Sequence, residues 1–331
     1  MKIAFVGKRG AGKSSLFELI TKNSVYRELP HGGKLATISI PDSRLKTLVS
    51  ALKPKRYKSV EVQIVDPGPG LRLNSPNIVD SDILVVVSEG PGLDIKEVID
   101  GIFTRDEEIV DKKLMALEQE LKKRHGQEDL EEEFAVFKKV KQLVSHKNFL
   151  SSADFSSQEI KIIHNIQPLS FKKIYVVINQ EAKEIDDEVI NFLQEMGLQY
   201  QLFSISLHYE IAQLPHSEQK IYYQEYNLDE KQIENLLKSI YSASGYITFY
   251  TVVNEEVRAW MLRKGEDIIT AAGKIHSDMA RGFIRAEVIS FDDFSQCDFS
   301  LPQAREKGIL RLESKEYIVQ DGDVVYIRFK V

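Results

Sequence analysis

A short apolar run, Met1-Lys-Ile-Ala-Phe-Val6, leads straight into Gly7-Lys8-Arg9-Gly10-Ala11-Gly12-Lys13-Ser14. The spacing is G-x-x-x-x-G-K-S/T. The run before it suits a buried strand, and Ser15-Leu-Phe-Glu-Leu-Ile20 after it suits the opening turns of an amphipathic helix. A strand, a glycine-rich bend and a helix start aim several backbone N–H groups at one point. The helix dipole adds partial positive charge there, so the bend is a seat for a polyphosphate.

Each residue type has a physical task. Gly7 and Gly12 let the backbone approach phosphate oxygens where a Cβ would intrude. Lys13 is a point charge able to follow the β- and γ-phosphates, and the Ser14 hydroxyl is a hard oxygen ligand for Mg2+. The expected nucleotide contacts along the bend are Gly7, Gly10, Ala11, Gly12, Lys13, Ser14 and Ser15. Nucleotide binding is the reading that this motif carries, with ATP or GTP as ligand.

The chain has 331 residues, long enough for two or three domains, with a net charge of -6 and so no global basic field for nucleic acid. Any RNA contact must come from a local patch. Cys297 is the only cysteine, which rules out an intrachain disulfide and disfavours a cysteine-based metal site. No apolar run reaches the length of a membrane span, and the opening residues lack the pattern of a secretory leader. The expectation is a cytoplasmic protein with no membrane partner.

Strand and helix signals alternate over the first hundred residues. Lys34–Ile40, Val60–Val65 and Asp82–Val87 read as strands, and Pro41-Asp42 opens a helix with Leu45, Leu48 and Leu52 on one face. Residues 105–147 are dense in charge but carry two apolar stripes, Val110-Leu114-Leu117-Leu121 and Leu130-Phe134-Phe137-Val140-Val144, on either side of His125-Gly126-Gln127. The spacing predicts two antiparallel helices. Their charge fits a solvated face, and a partner-binding arm is the sharper alternative. The α/β pattern resumes with strands at Lys173–Ile178 and Tyr200–Ser206 and helices at 186–196 and 229–242. Beyond Gly245 come short strands: a hairpin of 247–253 and 257–262 across Asn254–Glu256, a helix at 267–275, a strand at 283–289 and a terminal hairpin of 317–319 with 324–329.

The chain resembles the YchF/Obg-like ATPases, a branch of the translation-factor-related P-loop GTPases. The likeness runs through Ile40-Pro-Asp-Ser-Arg-Leu45 and Lys53-Pro-Lys55, and is strongest in Glu256-Val-Arg-Ala-Trp260, Ala271-Ala-Gly-Lys-Ile-His-Ser-Asp278, Arg281–Val288 and Tyr317–Asp323. It implies an α/β P-loop G domain with a mostly parallel sheet, an inserted helical hairpin or coiled coil, and a C-terminal α+β ubiquitin-like β-grasp (TGS) domain. The expected boundaries are 1–104 with 151–243 for the G domain, 105–150 for the insert and 244–331 for the TGS-like domain. The resemblance also implies ATP hydrolysis, Mg2+ as cofactor, and association with the ribosome or RNA through the TGS-like domain and the hairpin.

Asp66 matches the aspartate of the third G motif, D-x-x-G, and is expected as a catalytic and metal-site residue beside Lys13 and Ser14. Pro69 stands where the glycine of that motif belongs, and proline has no N–H to sense a γ-phosphate. The switch I threonine has no counterpart: Pro30-His31-Gly32-Gly33 fills its place and Thr37 falls in a strand. Arg27 and His31 are loop residues there, with catalysis the less favoured reading. At the base end, Asn179-Gln180-Glu181 is one residue tighter than the N-x-x-E of the family, which suits ATP or relaxed base preference. Asn179 and Glu181 are nonetheless the expected base-reading pair, with Ser204, Ile205 and Ser206 at the fifth G motif. No glutamine follows Asp66 to orient water, so slow hydrolysis is expected. Two alternatives stay open: an interaction scaffold whose nucleotide is structural or absent, and, more weakly, a P-loop kinase. The basic residues Arg258, Arg263, Lys264, Lys274, Arg281 and Arg285, near Trp260 and Phe283, suit RNA contact or a solvated face.

Overall fold

A computed structural model describes residues 1–22, 24–90, 92, 94–123, 128–179 and 185–330. Contacts divide the chain into two units, Met1–Ile38 with Val62–Leu236, and Ser39–Glu61 with Leu237–Val331.

The first unit is built on a seven-stranded sheet. Its strands are β1 (Lys2–Val6), β2 (Tyr26–Leu29), β3 (Gly33–Ser39), β5 (Glu61–Asp66), β6 (Ile83–Glu89), β7 (Lys173–Asn179) and β8 (Gln199–Leu202), in the order β2-β3-β5-β1-β6-β7-β8. The register from β5 through β1, β6 and β7 to β8 is parallel, and β2 pairs antiparallel with β3. Parallel strands buried on both faces need apolar side chains at every position, and Ile83–Val87 are all fully buried. Helices α1 (Lys13–Thr21), α3 (Pro76–Val79), α4 (Ile95–Lys123), α5 (Glu128–Ser145), α6 (Ser157–His164), α7 (Asp187–Glu195), α8 (Ile205–Gln213) and α9 (His216–Glu225) complete it.

The two apolar stripes form α4 and α5, with Val110, Leu117, Val136, Phe137, Val140 and Val144 buried. Cross-helix pairs join Lys141 to Asp111 at 2.5 Å and Lys113 to Glu133 at 2.8 Å. The expected turn at 125–127 lies outside the described residues. The first helix starts earlier than the expected edge at 105: α4 opens at Ile95, and Ile95, Val98, Ile99, Ile102 and Phe103 belong to the core around the sheet. The first helix of the arm is thus continuous from that core outward. Asp106, fully buried, accepts from Arg105 Nη1 at 2.6 Å and from the backbone N–H groups of Leu169 and Ser170 at 3.0 and 2.7 Å.

The second unit holds α2 (Ser43–Leu52), β4 (Arg56–Lys58), β9 (Tyr246–Val253), β10 (Glu256–Arg263), α11 (Ile268–Ile275), α12 (Ser277–Arg281), β11 (Phe283–Ser290), α13 (Phe291–Ser295), α14 (Leu301–Glu306), β12 (Arg311–Glu313) and β13 (Asp323–Phe329); α10 (Gln232–Ala243) crosses the division. Its sheet runs β12-β11-β13-β9-β10-β4, with β13 parallel to β9 and antiparallel to β11, a β-grasp arrangement. Asn254 and Glu255 turn the β9–β10 hairpin at φ 52° and 61°, the left-handed pair that a two-residue hairpin turn requires.

One expectation is corrected. No terminal hairpin forms: Tyr317–Val319 makes only an isolated bridge, Asp267 to Ile318, and β13 pairs with β11 and β9 instead. By contacts, Ser39–Glu61 groups with Leu237–Val331. The cause is local: β4 lies parallel on the edge of β10, Arg44 forks onto Asp321 at 2.7 and 3.2 Å, and Tyr250 donates to Asp42 at 2.6 Å.

Candidate functional site

The side chains expected to bind nucleotide gather at the carboxyl ends of β1, β5 and β7, where open parallel sheets place their ligands. The bend between β1 and α1 cannot carry larger residues at two positions. A Cβ on Gly7 would stand 2.2 Å from the Val87 carbonyl oxygen, backbone that cannot move aside. Gly12, the N-cap of α1, has φ 97°, and a Cβ there would meet Asn179 Nδ2 at 2.9 Å.

Lys13 is buried, 5% exposed, and its ammonium donates to the carbonyls of Gly7 at 2.8 Å and Lys8 at 2.7 Å. Burial lowers its pKa from the ordinary lysine value, opposed by the fields of Asp66 and Asp94. Asp66, at the end of β5, is 1% exposed. Its Oδ2 accepts from the Ser14 hydroxyl at 2.6 Å, and its Oδ1 from the Gly68 N–H at 3.0 Å. Among the described residues no group of three or more His, Cys, Asp or Glu side chains forms a metal cage. A hydroxyl beside one carboxylate is still the donor set that suits Mg2+, which keeps most of its shell as water and phosphate oxygens. Ser14 and Asp66 fit that ion.

Asn179 ties the two ends of the site together. Its Oδ1 accepts from the Ile205 N–H at 2.9 Å and its Nδ2 lies 3.5 Å from the Ala11 carbonyl. Glu181 lies outside the described residues. Ser204–Ser206, expected at the end of a strand, open α8 instead: β8 stops at Leu202, Ser204 is the N-cap, and Ser206 is exposed. The helix start turns the Ile205 amide toward Asn179, which a continuing strand would not do. Ser15 lies in the first turn of α1 and is half-buried, while Gly10 has φ 91° within the bend.

Other candidates separate from this cluster. Arg27 is exposed on β2, Thr37 lies in β3, and His31 is in a short 3-10 turn with its side chain outside the described atoms. His208 is 1% exposed and stacks on Phe203 at 4.5 Å between ring centroids, a packing role. Tyr209 donates to Glu18 at 2.7 Å, and Lys34 pairs with the other oxygen of that carboxylate at 2.7 Å. The Asp278 N–H donates to His276 Nδ1 at 3.2 Å. Arg258 lies 3.8 Å from the Trp260 ring centroid and Trp260 Nε1 donates to Thr251, so that ring is already engaged.

Sequence reading passed over Asp94, which accepts from Ser88 and whose field reaches Lys13. The available signal was an acid five residues past β6, whose Ile83–Val87 are all apolar, at the carboxyl edge where parallel sheets bind ligands.

A model of YchF GTPase C-terminal domains (YchF-GTPase_C, described as a protein of unknown function, DUF933) matches residues 246–330. The Ribosome-binding ATPase YchF of Haemophilus influenzae is 30% identical over 361 residues, covering 100% of this chain and 99% of the relative. That of Bacillus subtilis is 28% identical over 362 residues, covering 98% of each. Obg-like ATPase 1 of Oryza sativa subsp. japonica is 29% identical over 367 residues, covering 100% of this chain and 92% of the relative. The solved structure of the Schizosaccharomyces pombe YchF GTPase has the same fold, with a TM-score of 0.81 at 22% identity over 99% of this chain and 97% of that one. Among the described residues no helix is long and apolar enough to cross a membrane.

Proposed function

The chain belongs to the YchF/Obg-like ATPase family, and from that premise we propose that it binds ATP or GTP, hydrolyses it slowly with Mg2+, and acts as a ribosome- or RNA-associated switch in the cytoplasm. The observation that carries the reading is the meeting of Lys13, Ser14 and Asp66 beside a bend that tolerates only glycine at Gly7.

In this reading the Lys13 ammonium exchanges the carbonyls of Gly7 and Lys8 for phosphate oxygens and offsets their charge. Backbone amides from Gly10 to Ser15 hold the polyphosphate, and α1 adds its dipole. Ser14 and Asp66 would hold Mg2+, which when bound neutralises charge on the β- and γ-phosphates. Asn179 and the start of α8 face the nucleoside end, with Glu181 as its second reader. The relatives' names, Ribosome-binding ATPase and Obg-like ATPase, favour adenine and a ribosomal partner. The helical arm and the β-grasp unit are the surfaces we assign to that partner. The domain scheme we retain is a G domain, a helical insert and a TGS domain.

Slow turnover follows from the groups after Asp66. Residues 67–75 contain no glutamine or histidine, Pro69 offers no N–H, and the Gly68 N–H is held by Asp66 itself. Purified full chain with Mg-ATP and Mg-GTP tests this: we expect turnover below a few per second without a partner, on the order of a barrier above 16 kcal/mol. Lys13→Ala should lower nucleotide affinity at least about tenfold, or 1.4 kcal/mol, and unchanged affinity would end the proposal. Pro69 favours one second reading, a scaffold whose nucleotide is structural. Calorimetry separates the two: equal affinity for di- and triphosphate leaves no free energy to drive a switch.

A further inference from the structure

The second unit contains a cavity of about 760 Å3, lined entirely by its own residues and by none of the phosphate bend. That volume falls in the range of small-molecule sites. Its wall holds two carboxylates, and both are fully engaged. Asp42 caps α2, accepting from the Arg44 and Leu45 N–H groups at 2.9 and 3.2 Å, and takes the Tyr250 hydroxyl on its other oxygen. Asp321 takes both arms of Arg44 and the Thr248 N–H at 2.8 Å. The Arg44 charge is consumed by the same pair.

Two cations on the wall are not consumed. Lys238, on α10, and Lys264, after β10, line the cavity, and neither ammonium has a hydrogen-bond or ion-pair partner among the described residues. The rest of the lining includes apolar side chains, Ile40, Val60, Ile318 and Val319. Arg44 offsets one of the two carboxylate charges, so the lining nets about one positive charge, and the two free ammonium groups can both donate to one anionic group on a small organic body. A phosphate monoester presents three acceptor oxygens to two such donors, and a carboxylate only two.

We propose that this cavity is a second ligand site, for a small organic phosphate held by Lys238 and Lys264. It is independent of the phosphate bend and does not rest on the nucleotide reading. The test is calorimetric titration of the full chain with phenyl phosphate in nucleotide-free buffer, run on the Lys13→Ala background so that the bend's own affinity for phosphate is lowered. Saturable binding at millimolar concentration or below is expected there. The further change of Lys238→Ala with Lys264→Ala should weaken it at least tenfold, and Ser242→Trp, which adds an indole at an exposed lining position, should do the same. Thermal unfolding curves of the variants, expected to match that of the parent, check that these exposed or half-buried substitutions leave the fold intact. The proposal falls if phenyl phosphate shows no saturable binding, if the double lysine variant binds it as before, or if benzoate or phenol binds as tightly.

Discussion

The Ser14 hydroxyl donates to Asp66 Oδ2 at 2.6 Å, joining the first turn of α1 to the end of β5. Ser14 is exposed and Asp66 is buried, so the pair sits where solvent meets the core. The hydroxyl and the carboxylate can turn from each other to a shared cation without moving the backbone. Asp66→Asn keeps the shape and removes the charge. We expect ATP affinity of the unaltered chain to rise with Mg2+, and that gain to shrink by about tenfold or more in Asp66→Asn. Affinity in chelator should stay within about threefold, under 1 kcal/mol. Titrations with and without Mg2+ check both, and an undiminished Mg2+ response in the variant would remove Asp66 from the metal site.

Gly7→Ala is a sharper probe of the bend than a change at Lys13, because the obstacle is backbone. The added Cβ would lie 2.2 Å from the Val87 carbonyl, whereas on Gly90 it would meet nothing within 4 Å and only φ 63° would oppose it. Gly90→Ala should therefore cost about 1 kcal/mol, the penalty of a left-handed L-residue. Gly7→Ala must push β1 from β6 or open the bend, and we expect it to cost more than about 3 kcal/mol and to abolish nucleotide binding. Urea unfolding of the two variants side by side measures the difference.

Asp106 makes the strongest stability prediction. Removing its carboxylate takes the charge partner from the Arg105 guanidinium, 9% exposed and left with Asn74 alone among the described residues, and strands the N–H groups of Leu169 and Ser170. Breaking a buried pair from one side costs about 3–5 kcal/mol. Asp106→Ala should lower the urea midpoint accordingly, while Glu108→Ala, two residues further on the exposed face, should change stability by less than about 0.5 kcal/mol.

Those two acids also mark how far the sequence speaks. Both lie in the charged stretch after residue 104, whose apolar period announces helices but says nothing about which carboxylate turns inward. Asp106 is recognisable only once the chain around Leu169 is folded against it. Periodicity and the glycine spacing were enough to place β1, the bend, α1 and both helices of the arm, because those signals are local. The place of Ser39–Glu61 was not legible, since it depends on Arg44 finding Asp321 across 277 positions of sequence. The same holds for Asn179: the motif marks the residue, but its bonds to Ile205 and Ala11 arise only because α8 begins at Ser204, where strand-like residues suggested a longer β8.

His208 gives a pH signature. Burial against Phe203 lowers its pKa below the usual histidine value, and the Ser204 carbonyl, accepting from Nδ1 at 2.7 Å, only partly opposes this. The folded chain therefore holds fewer protons at this position than the unfolded chain just below pH 6.5. Stability contributed by the neutral ring is complete above that pH and is lost as pH falls toward the lowered folded value. Chemical denaturation of the full chain between pH 7.5 and 5 should show this fall. His208→Phe keeps an aromatic ring against Phe203 and cannot take up a proton. It should cost a pH-independent amount, on the order of 1 kcal/mol, for the lost bond to Ser204, and flatten the dependence between pH 6.5 and 5. A variant whose stability falls as steeply as that of the unaltered chain would assign the acid sensitivity to other groups.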